Sequence, residues 1–385
     1  MKNKIKAVVI EVMPELIEIS RFIHDNPEMG YKEFKASSRL EKSLEEHGFE
    51  VEKGIYGIET AFRGTYKSNK DGPRIAFMCE YDALPEVGHG CGHNLISTMG
   101  LGAGIALKSI IDEIGGAVVV FGTPAEETSG SKVEMVKKGA FDDITVAMMV
   151  HPAPITEESG NSLALSELQF EFTGKASHAA KSPELGINAL DAAVLFFNGM
   201  NALRQHVTSD VKMHGIIEEG GQAPNIIPDK SVIKMYVRAA KKDLRDEVAR
   251  KVMNIGEGAA LMTGATVKIS RLGESYDDIR TNSRLSDTFN KNLTSLGEKE
   301  INKNSTSLGS LDMGNVSYVV PTIHPWLGFG EPTLALHTKE FADCAVSKKS
   351  EDVIFKGACA MAMTAYDVIT SKELMCGIKK EFLNK

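Results

Sequence analysis

The chain has 385 residues, more than one hydrophobic core usually fills, so two domains are expected. Its hydrophobic fraction of 42% and charged fraction of 25% are those of an ordinary globular protein. A net charge of -8, with no block of Lys or Arg, excludes nucleic acid as an expected partner. No apolar run approaches the roughly 20 residues that a membrane helix needs, so no membrane partner is expected either. Five scattered cysteines are typical of a reducing compartment, and we expect a cytoplasmic protein.

Buried strands and helices alternate in the first part of the chain. Apolar residues recur at helical spacing in residues 5–26 and 34–47. We predict strands at four apolar runs that lead to acidic or imidazole side chains: Arg74–Met78, Ala117–Phe121, Thr145–Val150 and Thr333–Leu336. Helical segments separate the first three runs, which predicts an α/β fold with a mostly parallel sheet and helices on both faces.

Functional side chains are expected at one edge of that sheet, because sites in parallel sheets form beyond the carboxyl ends of the strands. The residues that this rule brings together are Asp82, Cys91, His93, Glu126, Glu127, His151 and His337.

The middle of the chain has a different pattern. Residues 167–282 follow the order β-α-β-β-α-β of a split ferredoxin-like unit. We therefore predict an inserted α+β domain at 167–282 and a discontinuous catalytic domain at 1–166 and 283–385. The alternating strands of the insert leave a sheet edge that could pair with a second copy of the chain.

The run Cys91-Gly92-His93 favours metal ligation. A thiolate and an imidazole two residues apart can reach one metal ion, and the glycine permits a tight turn between them. Two alternatives stay open from these residues alone. They could be a buried Cys and a helix-capping His, or Cys91 could be a nucleophile with His93 or His151 as its base.

The pair Glu126-Glu127 follows a buried strand. Adjacent side chains point in different directions, so one carboxylate can bind metal while the other faces the substrate as a general base. His151 and His337 would extend the set to Cys, His, Glu, His and His. Five such ligands are too many for one tetrahedral zinc and suit two divalent ions, zinc first, with manganese as an alternative.

A set of motifs that spans almost the whole chain resembles a known family. The motifs are Tyr-Asp-Ala-Leu-Pro from Tyr81, Gly-Cys-Gly-His-Asn from Gly90, Pro-Ala-Glu-Glu from Pro124, His-Pro at His151, Gly-Lys-Ala-Ser-His-Ala from Gly174, Pro-Asn-Ile-Ile-Pro-Asp from Pro224, and the late His337. Together they resemble the aminoacylase/carboxypeptidase family of dinuclear metallopeptidases. Within it they resemble the amidohydrolase branch, with its aminobenzoyl-glutamate hydrolases and β-alanyl-lysine-type dipeptidases.

The resemblance implies a role for each matched residue. It implies that the metal ligands are Cys91, His93, Glu127, His151 and His337. Glu126 would be the general base and Asp82 would orient a ligand. His178 would reach a partner subunit's site and help hold the carbonyl oxygen, while Asn225 and Arg238 would bind the carbonyl or terminal carboxylate of the substrate. The inserted domain would act as a lid and a homodimer contact.

The implied reaction is hydrolysis of an amide bond in a small peptide or N-acyl amino acid. A water bridging two metal ions would attack after Glu126 takes its proton. One departure concerns Glu80, which stands where many relatives have a ligand His, so its role stays open. Two rival hypotheses are a Cys91 hydrolase without metal and a metal-binding protein without catalysis.

Overall fold

The computed structural model of the chain describes residues 1–303 and 309–384. Its helices, in chain order, are α1 (Lys2–Asp25), α2 (Phe34–Glu46), α3 (His93–Ile114), α4 (Ser131–Lys137), α5 (Ala189–Leu203), α6 (Lys242–Thr263), α7 (Ser283–Ser295), α8 (Met313–Val316), α9 (Lys339–Cys344), α10 (Lys348–Thr370) and α11 (Lys372–Leu383). Its strands are β1 (Glu50–Lys53), β2 (Phe62–Lys67), β3 (Arg74–Cys79), β4 (Ala117–Gly122), β5 (Val146–Met148), β6 (His151–Ala153), β7 (Ala164–Thr173), β8 (Lys212–Glu219), β9 (Lys230–Ala239), β10 (Thr266–Arg271), β11 (Thr322–Ile323) and β12 (Trp326–Gly328).

The described residues form two compact units. Unit 2 comprises Ser162–Asp278 with Gly309 and Ser310, and unit 1 comprises the remaining described residues on both sides of it. These boundaries differ from the predicted 167 and 282. β7 begins before residue 167, and Leu165 and Tyr276 exchange backbone hydrogen bonds of 2.8 and 3.0 Å. Because of this pairing, the residues around Tyr276 belong to the main segment of unit 2, which ends at Asp278.

Unit 1 is built on a mixed sheet with the strand order β1-β2-β4-β3-β5-β11. The last four strands in this order, β4, β3, β5 and β11, are parallel to one another. At the other edge of the sheet, β2 is antiparallel to β4 and β1 is antiparallel to β2. Alternate side chains of β3 and β4 enter separate hydrophobic clusters, one with α1, α3 and α10 and the other with α4 and α8. The predicted α/β class, with helices on both faces of a mostly parallel sheet, is confirmed.

Two helices of unit 1, α3 and α10, are long and apolar enough to cross a membrane by length and composition. Both are largely buried in the core instead, where they pack closely on each other. A Cβ atom on Gly357 would lie 2.2 Å from the sulfur of Met99, so glycine is needed for this approach. Their apolar character is accounted for by burial against protein.

The predicted strand at Thr333–Leu336 is wrong. Residues 331–338 form turns between β12 and α9, and His337 has a left-handed backbone with φ +63°. Pro332 also lacks the backbone donor that a strand ladder would require. His337 therefore reaches its position on a loop, although its identity as a site residue is unaffected.

Unit 2 has an antiparallel sheet with the order β10-β7-β9-β8. Helices α5 and α6 cover one face, where Phe170 and Phe196 pack with ring centroids 4.6 Å apart. The element order β7-α5-β8-β9-α6-β10 is the predicted ferredoxin-like order. Within the described part of the chain, β8 pairs with β9 alone and forms an edge that exposes Ile216 and Ile217.

Candidate metal centre

The parallel strands of unit 1 deliver polar side chains to one edge of its sheet. β3, β4 and β5 run in the same direction, so their carboxyl ends lie together. The residues that follow them are Asp82 after β3, Glu126 and Glu127 after β4, and His151 after β5. This part of the predicted arrangement is observed.

Three further donors, Cys91, His93 and His337, reach the same edge from a turn before α3 and from a late loop. Gly92 adopts φ +77° immediately before α3 and places Cys91 and His93 on either side of the helix start. A Cβ on Gly92 would also lie 2.6 Å from Pro152 Cγ, so both the backbone conformation and the packing require glycine. The backbone amide of His337 donates to the carbonyl of Gly90 at 2.8 Å, which fixes the late loop against this turn.

The five predicted ligands form one cluster. Cys91 Sγ lies 3.4 Å from His151 Nε2 and 3.5 Å from His337 Nε2. Glu127 Oε1 lies 3.7 Å from His93 Nε2 and 3.6 Å from His337 Nε2. Donor atoms of sulfur, nitrogen and oxygen thus converge from residues that are up to 246 positions apart.

The cluster consists of overlapping groups of three residues. Within each group, the donor atoms lie within 4.8 Å of one another. The groups are Cys91 with His93 and His151, Cys91 with Glu127 and His337, and His93 with Glu126 and Glu127. Overlap of this kind gives room for more than one ion, since a single group already supplies three ligands.

The orientation of both buried imidazoles is set by their Nδ1 atoms. His151 Nδ1 donates to the carbonyl oxygen of Pro152 at 2.7 Å, so its lone pair is on Nε2. His93 Nδ1 donates to Asp82 Oδ1 at 2.9 Å, and the other oxygen of Asp82 accepts the backbone amide of Glu127 at 2.9 Å. Although burial opposes it, the interaction with His93 lowers the pKa of Asp82 and keeps it ionised. Asp82 therefore bonds to two predicted ligands, the ring of His93 and the backbone of Glu127.

Two donor atoms of the cluster are buried without a hydrogen-bond partner among the described residues: His93 Nε2 and Glu127 Oε1. Burial of an unsatisfied polar atom costs free energy unless a ligand completes it. Thiolate, imidazole and carboxylate donors within one pocket are the set that zinc and related divalent ions prefer. The residues present therefore fit a divalent metal centre.

The ionisation of Cys91 and Glu126 bears on their chemistry. Burial, assisted by Glu127, raises the pKa of the Cys91 thiol well above its usual value. A thiol in that state is a poor nucleophile, which argues against a Cys91 hydrolase. Burial, together with Glu80 and Glu127, also raises the pKa of Glu126, the direction that suits a general base working near neutral pH.

Glu80, whose role the sequence leaves open, is paired with a buried lysine and lies near His93. Glu80 Oε1 accepts from Lys132 Nζ at 2.6 Å, and Glu80 Oε2 lies 3.6 Å from His93 Nε2. Lys132 also donates to Asp312. The sequence showed no sign of this pairing, because Lys132 stands in an ordinary-looking helix start.

Trp326 is a site residue that sequence reasoning missed. Its ring centroid lies 4.4 Å from that of His151, and β12 pairs with β6 so that the two residues are in register. The two rings are tilted by 46° and pack against each other, so Trp326 contacts a predicted ligand. That Trp326 is the single tryptophan of the chain was the one available signal.

Unit 2 carries the other three predicted site residues. The backbone carbonyl of Asn225 accepts the backbone amide of Ala179 at 3.0 Å, which joins its loop to that of His178. His178 Nδ1 accepts the backbone amides of Ala180 and Lys181, both at 3.2 Å. The proton of the neutral ring is therefore on Nε2, where the exposed imidazole can donate.

Arg238 lies in β9 and is partly buried. Its Nη1 donates to Ser310 Oγ at 2.9 Å, and it forms no ion pair with any carboxylate of residues 1–303 and 309–384. Burial lowers the pKa of Arg238, with Glu167 nearby acting in the opposite direction. A partly buried guanidinium without a bonded carboxylate is suited to an anionic ligand.

Relatives with assigned names match this chain along most of its length. The chain is 36% identical over 397 residues to a Xaa-Arg dipeptidase of Mus musculus, covering 99% of this chain and 92% of that protein. It is 34% identical over 304 residues to one of the subunits of the p-aminobenzoyl-glutamate hydrolase of Escherichia coli, covering 74% of this chain and 63% of that protein.

Solved structures share the fold. An aminobenzoyl-glutamate utilization protein from Klebsiella pneumoniae superposes with a TM-score of 0.73 at 20% identity, covering 91% of this chain and 96% of the other. A dinuclear metal binding peptidase of the M20 family from Bacillus subtilis superposes with a TM-score of 0.67 at 19% identity, covering 92% and 98% of the two chains.

The model of the peptidase family M20/M25/M40 matches residues 76–366, most of the chain and every predicted metal ligand. This match and the named relatives confirm the resemblance seen in the sequence and the predicted class of enzyme, a metallopeptidase-type hydrolase of amide bonds. The chain belongs to the peptidase family M20/M25/M40.

Proposed function

We propose that the protein hydrolyses dipeptides or N-acyl amino acids with two divalent ions, zinc first, held by the five clustered donors. The observation that carries the proposal is the pair of buried, unsatisfied atoms, His93 Nε2 and Glu127 Oε1, that face one another across this cluster. Bound ions would supply an acidified water and a Lewis acid for the amide carbonyl. Everything else in the reaction is assigned to side chains of the protein.

Glu126 is the proposed general base. It neighbours the ligand Glu127 and belongs to the group formed with His93. Its carboxylate takes the proton of the attacking water and then passes it to the leaving amine. Since Asp82 binds both His93 and the amide of Glu127, it positions the ligands without contacting the substrate.

Unit 2 supplies the proposed substrate contacts. His178, with its proton on Nε2, donates to the carbonyl oxygen as negative charge develops there, in the site of a partner subunit. Asn225 donates to the same carbonyl. Arg238 binds the terminal carboxylate of the substrate, for which its guanidinium has no bonded competitor among the described residues.

Dipeptides that end in Arg are the first substrates to test, because a Xaa-Arg dipeptidase matches 99% of this chain. Dipeptides ending in Lys, N-acetyl amino acids and p-aminobenzoyl-glutamate complete the panel, the last because of the Escherichia coli relative.

The decisive experiment is metal analysis of the purified protein followed by this substrate panel, with and without a chelator. We expect two ions per chain, hydrolysis of at least one substrate, loss of activity in chelator and recovery on adding zinc or manganese. Activity that survives chelation and is lost on alkylation would instead assign catalysis to Cys91. Metal uptake with no turnover of the whole panel would indicate a binding protein.

We also propose a homodimer formed through the edge of unit 2. β8 exposes Ile216 and Ile217, and among the described residues it pairs with β9 alone, so its outer side can extend the sheet. Light scattering of the wild-type protein and of an Ile216→Lys variant tests this. A dimer that becomes a monomer in the variant is expected, and a wild-type monomer contradicts the proposal.

A further inference from the structure

A second buried set of charges lies beside the metal centre in unit 1. It consists of Lys132 at the start of α4, Glu80 after β3 and Asp312 before α8, all less than 2% exposed. Lys132 Nζ donates to Glu80 Oε1 at 2.6 Å and to Asp312 Oδ1 at 2.8 Å. The backbone amide of Lys132 also donates to Asp312 Oδ2, at 3.1 Å. Asp312 thus holds the lysine by two separate bonds.

The charges in this set compensate one another locally. Burial disfavours the ammonium, yet Asp312 and Glu80 together keep the pKa of Lys132 well above its usual value. The lysine is therefore a permanent cation between two carboxylates. A buried cation with several short charge-assisted bonds is held in one place, since each alternative position would leave a buried charge unpaired.

Glu80 is within reach of the metal ligands. Its second oxygen, Oε2, lies 3.6 Å from His93 Nε2, and the corresponding distance from Oε1 of the proposed ligand Glu127 is 3.7 Å. By distance alone the two carboxylates are equivalent. They differ in how the carboxylate is held, because Lys132 binds Glu80 through Oε1, the oxygen that does not face His93, and so anchors the group. The oxygen of Glu127 that faces His93, Oε1, has no hydrogen-bond partner among the described residues.

We propose that Lys132 is a positioning residue that holds Glu80 beside the metal centre and prevents it from becoming a ligand. This role rests on the proposed two-metal function. The restraint works because Asp312 fixes the ammonium from the other side, so Lys132 cannot follow Glu80 towards an ion. Glu80 then stays next to His93 without serving as a metal ligand.

The first test is Glu80→Gln, which keeps the shape of the side chain and leaves Lys132 paired with Asp312. Elemental analysis after dialysis against zinc should find the same number of ions per chain as in the wild type. Loss of an ion from the variant would identify Glu80 as a ligand and overturn the proposal. This result does not depend on how any lysine variant folds.

The second test removes the restraint. Lys132→Met should bind zinc about tenfold more tightly than the wild type, since Glu80 is then free to coordinate. Titration against a chromophoric chelator measures this affinity. Combining Lys132→Met with Glu80→Gln should return the affinity to the wild-type value, whereas combining it with Asp312→Asn should leave it raised. Unchanged zinc affinity in Lys132→Met, or the same affinity in both double variants, would contradict the proposal.

Two single variants serve as controls. Lys132→Arg keeps the cation and should restore wild-type zinc binding, which a general packing role would not predict. Lys137→Met removes an exposed lysine of the same helix and should have no effect. The proposed function fails separately, because wild-type protein that binds fewer than two ions contradicts the two-metal site before any variant is compared.

Discussion

The site residues of unit 1 and those of unit 2 differ in burial and in how firmly hydrogen bonds hold their side chains. In unit 1, His93 and His151 are buried and each ring is fixed by a bond to Nδ1, and Nε2 of His93 lacks a hydrogen-bond partner among the described residues. In unit 2, His178 and Asn225 are exposed and Arg238 is partly buried. Rigid, desolvated donors are suited to ions and proton transfer, while accessible donors are suited to a substrate that comes and goes.

The comparison predicts the largest effect for Glu126. Glu126→Gln keeps the size of the side chain and removes its ability to take a proton, so kcat should fall by about 10³-fold or more. Metal content should stay unchanged, because Glu127 is the proposed ligand. Steady-state kinetics and elemental analysis check both parts, with the exposed Glu11→Gln as the matched control. Near-normal turnover would remove Glu126 from the mechanism.

For unit 2, His178→Ala should lower kcat by about 100-fold, because one donor to the developing oxyanion is lost. KM should change little, since this bond strengthens only in the transition state. His206→Ala, an exposed histidine of the same unit, is the control. A change confined to KM would place His178 in ground-state binding instead.

Asp82→Asn tests the rigidity of the unit 1 donors. An amide at this position cannot accept from both the His93 ring and the Glu127 backbone amide. We expect metal affinity to fall by about 10- to 100-fold, the usual effect of losing a residue that orients ligands. Competition with a chelator measures it, and the exposed Asp71→Asn should bind metal as the wild type does. Unchanged affinity would show that the ligands are held without Asp82.

Arg238→Met should raise KM by about tenfold for substrates with a free carboxylate, with a small effect on kcat. The same substrates with an amidated terminus should be processed equally by wild type and variant. Arg250→Met removes an exposed arginine of unit 2 and controls for net charge. Equal losses on both kinds of substrate would rule out carboxylate binding.

The last prediction concerns stability and not catalysis, and it involves Glu33, a buried carboxyl that accepts the backbone amide of Ala125 at 2.8 Å and the Thr60 hydroxyl at 3.1 Å. Burial, with the nearby charge of Asp82, raises the pKa of Glu33 to about 7. The folded state therefore keeps a proton that the unfolded state releases above about pH 4.5.

It follows that this group lowers the free energy of unfolding as pH rises from about 4.5 to 7, by roughly 3 kcal/mol in total. Glu33→Gln should lack this loss and be more stable than the wild type at pH 8, but similar at pH 4.5. Urea unfolding at both pH values measures the difference. An equal stability difference at the two pH values would show that Glu33 does not titrate in this range.

Local pattern predicted which donors lie together in the candidate metal centre. The apolar runs of β3, β4 and β5 mark buried parallel strands, and polar side chains just after such strands must share an edge. Cys91, His93 and Glu127 could therefore be grouped from their positions in the chain. The same argument failed for Thr333–Leu336, because an apolar run of four residues does not distinguish a strand from a packed turn.

Local sequence pattern could not predict contacts between segments that lie far apart in the chain. Glu80 and Lys132 are 52 residues apart, and Asp312 is 180 residues from Lys132. Each is an ordinary charged residue in its own segment. Trp326 likewise meets His151 only because β12 and β6 pair in register.

The covalent spacing of Cys91-Gly92-His93 and the alternation of strands and helices are properties of short stretches of chain, so the sequence alone determined the fold class and the chemistry of the donors. Whether a buried carboxylate is available to a metal ion or is paired with a charge of the protein depends on the atoms around it. Glu127 and Glu80 illustrate this, since they lie about equally close to His93 and only tertiary packing gives one of them a lysine.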